Sequence, residues 1–378
     1  MLSDSLNRVV DIFRDEEPFT FECGQTFDGI DVAFETYGTL NKDKSNAVLV
    51  CHALTGGANV AGDASYPDAV INKSNMLAAV NGSLSGWWQT LIGPGKLFDT
   101  SKYFIISSNI LGSCYGSSGP LSINPETEKK FGIEFPQVTV RDMVKAQYRL
   151  MKHLAVDNLQ TIIGGSLGGM QALEWAACYP VFVKSIIPVA TTTRHSDWSI
   201  GLNHLARQAI IDDPQWQSGD YKDQPKKGLS LARKIGMISY RTDINFNNKF
   251  YNQRKFEGNS FFDEDNIFQV ESYLNYQGEK LVERFDANSF LNISRAMDLH
   301  DLSRERGEME DVLKSIKCKT LCIGIDTDIL YPAHEQKTIA KNIPNAVYKE
   351  IESEAGHDAF LIEFEQMSKF IKPFLEGL

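Results

Sequence analysis

Thr161-Ile162-Ile163-Gly164-Gly165-Ser166-Leu167-Gly168-Gly169-Met170 is the stretch on which the reading of this chain turns. A β-branched run, Leu159 to Ile163, meets a serine fenced by glycines and gives way to Met170-Gln171-Ala172-Leu173-Glu174-Trp175-Ala176-Ala177, which is rich in helix formers and free of breakers. Gly164, Ser166 and Gly168 spell G-x-S-x-G, the pattern of a nucleophile elbow, where a serine on a sharp strand-to-helix turn has its Oγ lifted clear of the sheet. Side chains at the flanking positions would clash in such a turn, and glycine removes the clash. A helix starting just after Ser166 also favours negative charge developing there. A plain Gly-rich turn shares these letters, so the strand before and the helix after carry the distinction.

Outward from this stretch, apolar runs recur. Asn46 to Leu54 is nearly continuous and breaks at Thr55-Gly56-Gly57; Tyr103 to Leu111 does the same and opens into Gly112-Ser113-Cys114-Tyr115-Gly116. Such runs are expected of strands buried on both faces. Thr139, with Asp142 three residues on, starts a helix with apolar Val140, Met143, Val144, Leu150, Met151 and Leu154. Val183 to Ala190, Thr320 to Ile325 and Val347 to Ile351 are further strand candidates, and a final helix carries Phe360, Phe364, Met367, Ile371 and Phe374. Residues 19–37 read as extended segments with a turn at Phe27-Asp28-Gly29, a hairpin at an antiparallel sheet edge. Strands alternating with helices imply an α/β fold with a mostly parallel sheet. Between the candidates at 183–190 and 320–325 lies a long helix-compatible insertion, with amphipathic stretches at Leu202 to Ile211, Gly228 to Tyr240 and Phe268 to Phe285. The expected organisation is a core of residues 1–192 and 311–378 and a mainly helical cap of residues 193–310 over the carboxyl ends of the strands, where open α/β sheets bind ligands.

A serine nucleophile needs a base and an acid, and in an elbow fold these follow in the order acid, then histidine. His357, in Glu354-Ala355-Gly356-His357-Asp358, is the one histidine of seven that combines this order with a Gly-flanked turn after a late strand. Asp326-Thr327-Asp328 directly follows the strand ending at Ile325 and offers two acids. An imidazole oriented by one of them would take the proton of Ser166 and later return it.

Composition bounds the task. A net charge of −11 argues against nucleic acid or an anionic membrane as the main partner, since both need a basic face. Met1 to Glu17 lacks the layout of a signal peptide and no run approaches a membrane span, so no membrane association is expected. Six cysteines scattered over 378 residues, several in apolar runs, suggest a reducing cytoplasm. Cys318 and Cys322 have no second pair or nearby histidine to complete a zinc set, and no metal is expected.

His52-Ala53-Leu54-Thr55-Gly56, Gly164-Gly165-Ser166-Leu167-Gly168-Gly169, Arg284-Phe285-Asp286, Asp328-Ile329-Leu330-Tyr331-Pro332 and Gly356-His357-Asp358 together resemble the homoserine O-acetyltransferase family of the α/β-hydrolase fold. Asn109-Ile110-Leu111-Gly112, Asp213-Pro214 and Gly228 to Arg233 extend the resemblance over nearly the whole chain. It implies a triad of Ser166, His357 and Asp328, aligning the acid with Asp328 in preference to Asp326. It implies an acceptor site at Arg233 and Asp358 with Tyr240 nearby, and a homodimer joined through the cap. The substrates it implies are L-homoserine and acetyl-coenzyme A, the latter a co-substrate with no permanently bound cofactor. Backbone N–H groups of Leu167 and of Leu54 or Thr55 would bind the oxyanion. Gly57-Ala58-Asn59 departs from the commonest family pattern, which often has a polar residue and a histidine there. Succinyl-using relatives resemble one another in placing an arginine two residues after the acid; here Leu330 makes that wall apolar and suits an acetyl group. The rival readings are transfer of a succinyl group to homoserine or serine, a serine esterase with water as acceptor, and an inactive hydrolase-like binding protein.

Overall fold

The computed structural model describes residues 8–11, 18–61, 63–64, 84–256, 262 and 266–378. One sheet holds β1 (Arg8–Asp11), β2 (Asp31–Tyr37), β3 (Ala47–Cys51), β4 (Phe104–Ser108), β5 (Thr161–Gly165), β6 (Ser185–Val189), β7 (Lys319–Ile325) and β8 (Ala346–Ile351). Across the sheet the order is β1-β2-β4-β3-β5-β6-β7-β8. β2 runs antiparallel to β1 and β4, and every other neighbouring pair is parallel.

The near-continuous apolar runs follow from burial on both faces. All five residues of β3 and of β5 are buried, and successive side chains serve different cores: Leu49, Ile106 and Ile162 join one, Val48, Ile105 and Ile163 the other. α1 (Val140–His153) and α2 (Leu167–Cys178) pack on the first core, and α10 (Phe364–Glu376) packs on the second. Thr139 caps α1 by accepting the N–H of Asp142, while the Asp142 carboxylate accepts the N–H of Thr139.

Two readings of local structure differ. The early hairpin turns at residues 21–25, pairing Phe19–Thr20 with Thr26–Phe27 in a separate two-stranded sheet, because Gly24 takes the left-handed conformation at φ 88°. Phe27-Asp28-Gly29 instead leads into β2. Phe360 belongs to a short 3₁₀ segment, Gly356–Leu361, that precedes α10.

Residues 193–310 contain α3 (Asp197–Ile211), α4 (Lys226–Tyr240), α5 (Asp243–Phe250), α6 (Gln269–Val282) and α7 (Ala287–Asp298). α4 packs between α3 and α6, and α7 against α3. α8 (Met309–Ser315) and α9 (Ala333–Asn342) flank β7. Helices of the insertion and the loops at the carboxyl ends of β3, β5, β7 and β8 together enclose one cavity of about 350 Å³.

Candidate active site

Ser166 stands between β5 and α2 with φ 58° and ψ −123°, a strained conformation for a residue with a side chain. Its surroundings hold that conformation in place. Its N–H donates to the Val189 carbonyl, and its own carbonyl accepts from the N–H groups of Gly169 and Met170 and from Thr191 Oγ1. The glycine fence has a steric cause. A Cβ on Gly164 would come within 2.5 Å of the Gly168 backbone, and one on Gly168 within 2.2 Å of the Cys51 carbonyl oxygen. The elbow thus forms only where β5, α2 and the end of β3 touch backbone to backbone.

His357 is buried beside this elbow, and its Nδ1 lies 2.7 Å from Asp328 Oδ2. The other carboxylate oxygen of Asp328 accepts the N–H groups of Leu330 at 2.8 Å and Tyr331 at 2.9 Å. An acid held by three donors stays fixed and orients the imidazole with Nδ1–H toward it, leaving Nε2 as the working nitrogen. Burial opposes a charged imidazole, but the charge and hydrogen bond of Asp328, with Asp358 adding, hold the His357 pKa above its ordinary value. Asp326, the other acid in this turn, accepts the N–H of Ser353. Ser166 and His357 both face the cavity.

Two backbone segments border the serine. Leu167 is the first residue of α2, so its N–H has no intrahelical acceptor. Leu54 and Thr55 line the cavity after β3. Below them His52 is buried, with Nδ1 2.8 Å from the Ala53 carbonyl and Nε2 accepting the N–H of Ile110 at 3.2 Å. Burial pulls its pKa down to about 4, so it remains neutral and clamps this loop. A buried amide ladder supports both segments. Gln171 Nε2 donates to the carbonyls of His52 and Leu167, Gln147 donates to Gln171, and Trp175 donates to Gln147.

The remaining site residues expected from the sequence, Arg233, Tyr240, Asp358 and Leu330, all line the same cavity. Among the described residues no carboxylate lies within ion-pair reach of Arg233. Its guanidinium stands 5.8 Å from the Tyr240 ring centroid. Burial lowers its pKa, with Arg284 acting in the same direction against Tyr240 and Asp358. Tyr240 lies 5.9 Å from the His357 ring and its hydroxyl is pushed up by burial. Asp358 pairs at 2.9 Å with Arg241, which does not line the cavity. Arg194, Arg207 and Arg254 are likewise off the cavity wall. Arg194 pairs with Asp301, Arg207 with Asp298, and Arg254 stacks on Phe268. The cations on the wall are Arg233, Lys280 and Arg284. Arg284 was legible only as part of a family-like motif. It donates to the Thr55 carbonyl at 2.8 Å, to Thr55 Oγ1 and to the Tyr115 hydroxyl, bracing the loop that carries the Leu54 and Thr55 amides.

A family model described as alpha/beta hydrolase fold matches residues 46–364. A homoserine O-acetyltransferase of Carboxydothermus hydrogenoformans is 47% identical over 94% of this chain and 92% of its own length. Among solved structures, homoserine O-acetyltransferase from Bacillus anthracis superposes with a TM-score of 0.85 at 29% identity, covering 98% of this chain and 97% of that one. Esterase E22 superposes equally well, with a TM-score of 0.85 at 28% identity over 98% of this chain and 100% of its own.

Proposed function

The chain belongs to the homoserine O-acetyltransferase family of the α/β-hydrolase fold, and from that premise we infer that it moves an acetyl group from acetyl-coenzyme A to the hydroxyl of L-homoserine. Ser166 Oγ attacks the thioester carbonyl as His357 Nε2 takes its proton, and the N–H groups of Leu167 and of Leu54 or Thr55 receive the developing oxyanion. Coenzyme A leaves with that proton, and an acetyl ester remains on Ser166. Homoserine then gives its hydroxyl proton to His357 and attacks the ester, so O-acetyl-L-homoserine leaves and the serine regains its proton. Acetyl-coenzyme A is a co-substrate in this scheme, and no resident cofactor is needed.

The observation that carries the acceptor assignment is Arg233. A cation on the cavity wall with no carboxylate partner among the described residues suits the carboxylate of an amino acid, which a guanidinium can grip through two N–H groups. Asp358, already charge-balanced by Arg241, would take the ammonium group. Leu330 gives an apolar surface at the cavity, in keeping with a methyl group over a second carboxylate.

We further infer a homodimer and a cytoplasmic setting. Trp198 and Leu205 on α3, and Leu231 and Ile238 on α4, repeat at seven-residue spacing on two packed helices and are all about half exposed, which supports a partner helix pair. Six free thiols support a reducing compartment. No helix among the described residues is long and apolar enough to cross a membrane.

Intact-protein mass spectrometry after mixing with acetyl-coenzyme A tests the scheme. One acetyl group should appear on the native chain, none on Ser166→Ala, and homoserine should discharge it far faster than water. Equal discharge without homoserine would make the chain a hydrolase, and preferential labelling by succinyl-coenzyme A would reverse the acyl assignment.

A further inference from the structure

A second buried histidine–carboxylate pair lies in the insertion, and it reaches the triad through one tyrosine. His195, just ahead of α3, places Nδ1 3.1 Å from Oδ1 of Asp298 at the end of α7. Asp298 also accepts from Asn203 Nδ2 at 2.9 Å and pairs with Arg207 at 2.5 Å. Burial works against its charge, but these donors keep its carboxyl below the ordinary range. An ionised acceptor on Nδ1 requires Nδ1–H there, so a neutral His195 presents Nε2 as an acceptor. The Tyr331 hydroxyl, 2.9 Å away, donates to it.

Tyr331 is fully buried and touches both the base and the acid of the triad. Its ring packs edge-to-face on His357 at 5.2 Å between centroids, and its N–H is one of the three donors to Asp328. The neighbouring peptide is tied to the same helix, since Ser199 Oγ on α3 donates to the Leu330 carbonyl at 3.0 Å. A loop that holds a catalytic carboxylate is therefore anchored to the insertion at two consecutive residues.

We propose that His195 and Asp298 are positioning residues for the acyl transfer: by fixing the Tyr331 hydroxyl they hold the 328–331 loop and the His357 ring in the geometry that proton transfer needs. His195 and Asp298 act through the Tyr331 hydroxyl, so their contribution is to orientation, where small misplacements cost about 10²-fold in rate. The proposal rests on Ser166, His357 and Asp328 being the catalytic groups.

The test is steady-state kinetics on Tyr331→Phe, His195→Asn and the double variant, alongside Ser166→Ala. Tyr331→Phe keeps the ring and removes the hydroxyl. We expect kcat to fall about tenfold in each single variant, with KM for both substrates changed less than about twofold. The double variant should be no slower than the worse single one, because both break one chain. The downfield proton resonance of His357 Nδ1–H should shift or broaden in Tyr331→Phe while the melting temperature stays near that of the native chain. Native kcat in Tyr331→Phe, or losses that multiply in the double variant, overturns the proposal. If His195→Asn does not fold, the kinetics and resonance of Tyr331→Phe decide alone. Native turnover in Ser166→Ala would instead sink the underlying triad assignment, so the two failures are distinguishable.

Discussion

His357 is subject to opposing influences, and their balance sets the acid side of the pH profile. Acylation needs its neutral form; burial is the largest single influence and opposes its charge, but the charge and hydrogen bond of Asp328 and the charge of Asp358 together raise its pKa. The protonated, inactive form therefore persists to higher pH than for an ordinary imidazole. The acid limb of kcat/KM should fall above about pH 6.5, as a pH–rate titration would show. In Asp328→Asn the supporting charge is gone while burial remains, so the limb should move down and turnover should drop by about 10⁴. A limb unmoved by that change would mean that another group is being titrated. Arg233 makes a different prediction, because it faces the acceptor. Arg233→Ala should leave acetylation of Ser166 by the thioester within a fewfold of native and slow discharge by homoserine by at least about tenfold. Rapid-quench measurement of the two half-reactions separates these effects, and equal slowing of both would move Arg233 to the donor side.

The element that most constrains the chain is the β5–Ser166–α2 turn, because its glycines serve contact rather than flexibility. Gly168→Ala would push a methyl carbon into the Cys51 carbonyl, and neither partner can yield, since β3 is hydrogen-bonded on both sides and α2 starts there. The expected cost is about 2–3 kcal/mol of stability, read as a lower denaturation midpoint. The activity loss should be larger, because lifting α2 displaces the Leu167 N–H from the serine. A variant with native activity would show that the turn has slack. The motif and its flanking strand and helix were legible from sequence because short-range sterics and propensity write them locally. The Gln147–Gln171–Trp175 ladder beneath was not legible, as its members lie on two helices and nothing in their spacing marks a shared network.

For the whole molecule, the half-exposed stripe of Trp198, Leu205, Leu231 and Ile238 supports association of two copies. Leu205→Asp with Ile238→Asp should convert a dimer to a monomer in analytical ultracentrifugation while each chain stays folded, and an unchanged sedimentation coefficient would place the contact elsewhere. Burial periodicity, an elbow and the order serine, acid, histidine made the parallel sheet and the triad candidates readable, since each is written in contiguous residues or in chain order. Family-like motifs added Arg233, Asp358 and the choice of Asp328. The tertiary structure alone decided which charges meet. Arg241 pairs with Asp358, Arg284 with the Thr55 loop, and His195 with Asp298 and Tyr331, across separations from 103 residues to 229. Pairing at such distances along the chain depends on how helices of the insertion dock on the sheet. The local sequence around either partner carries no record of it.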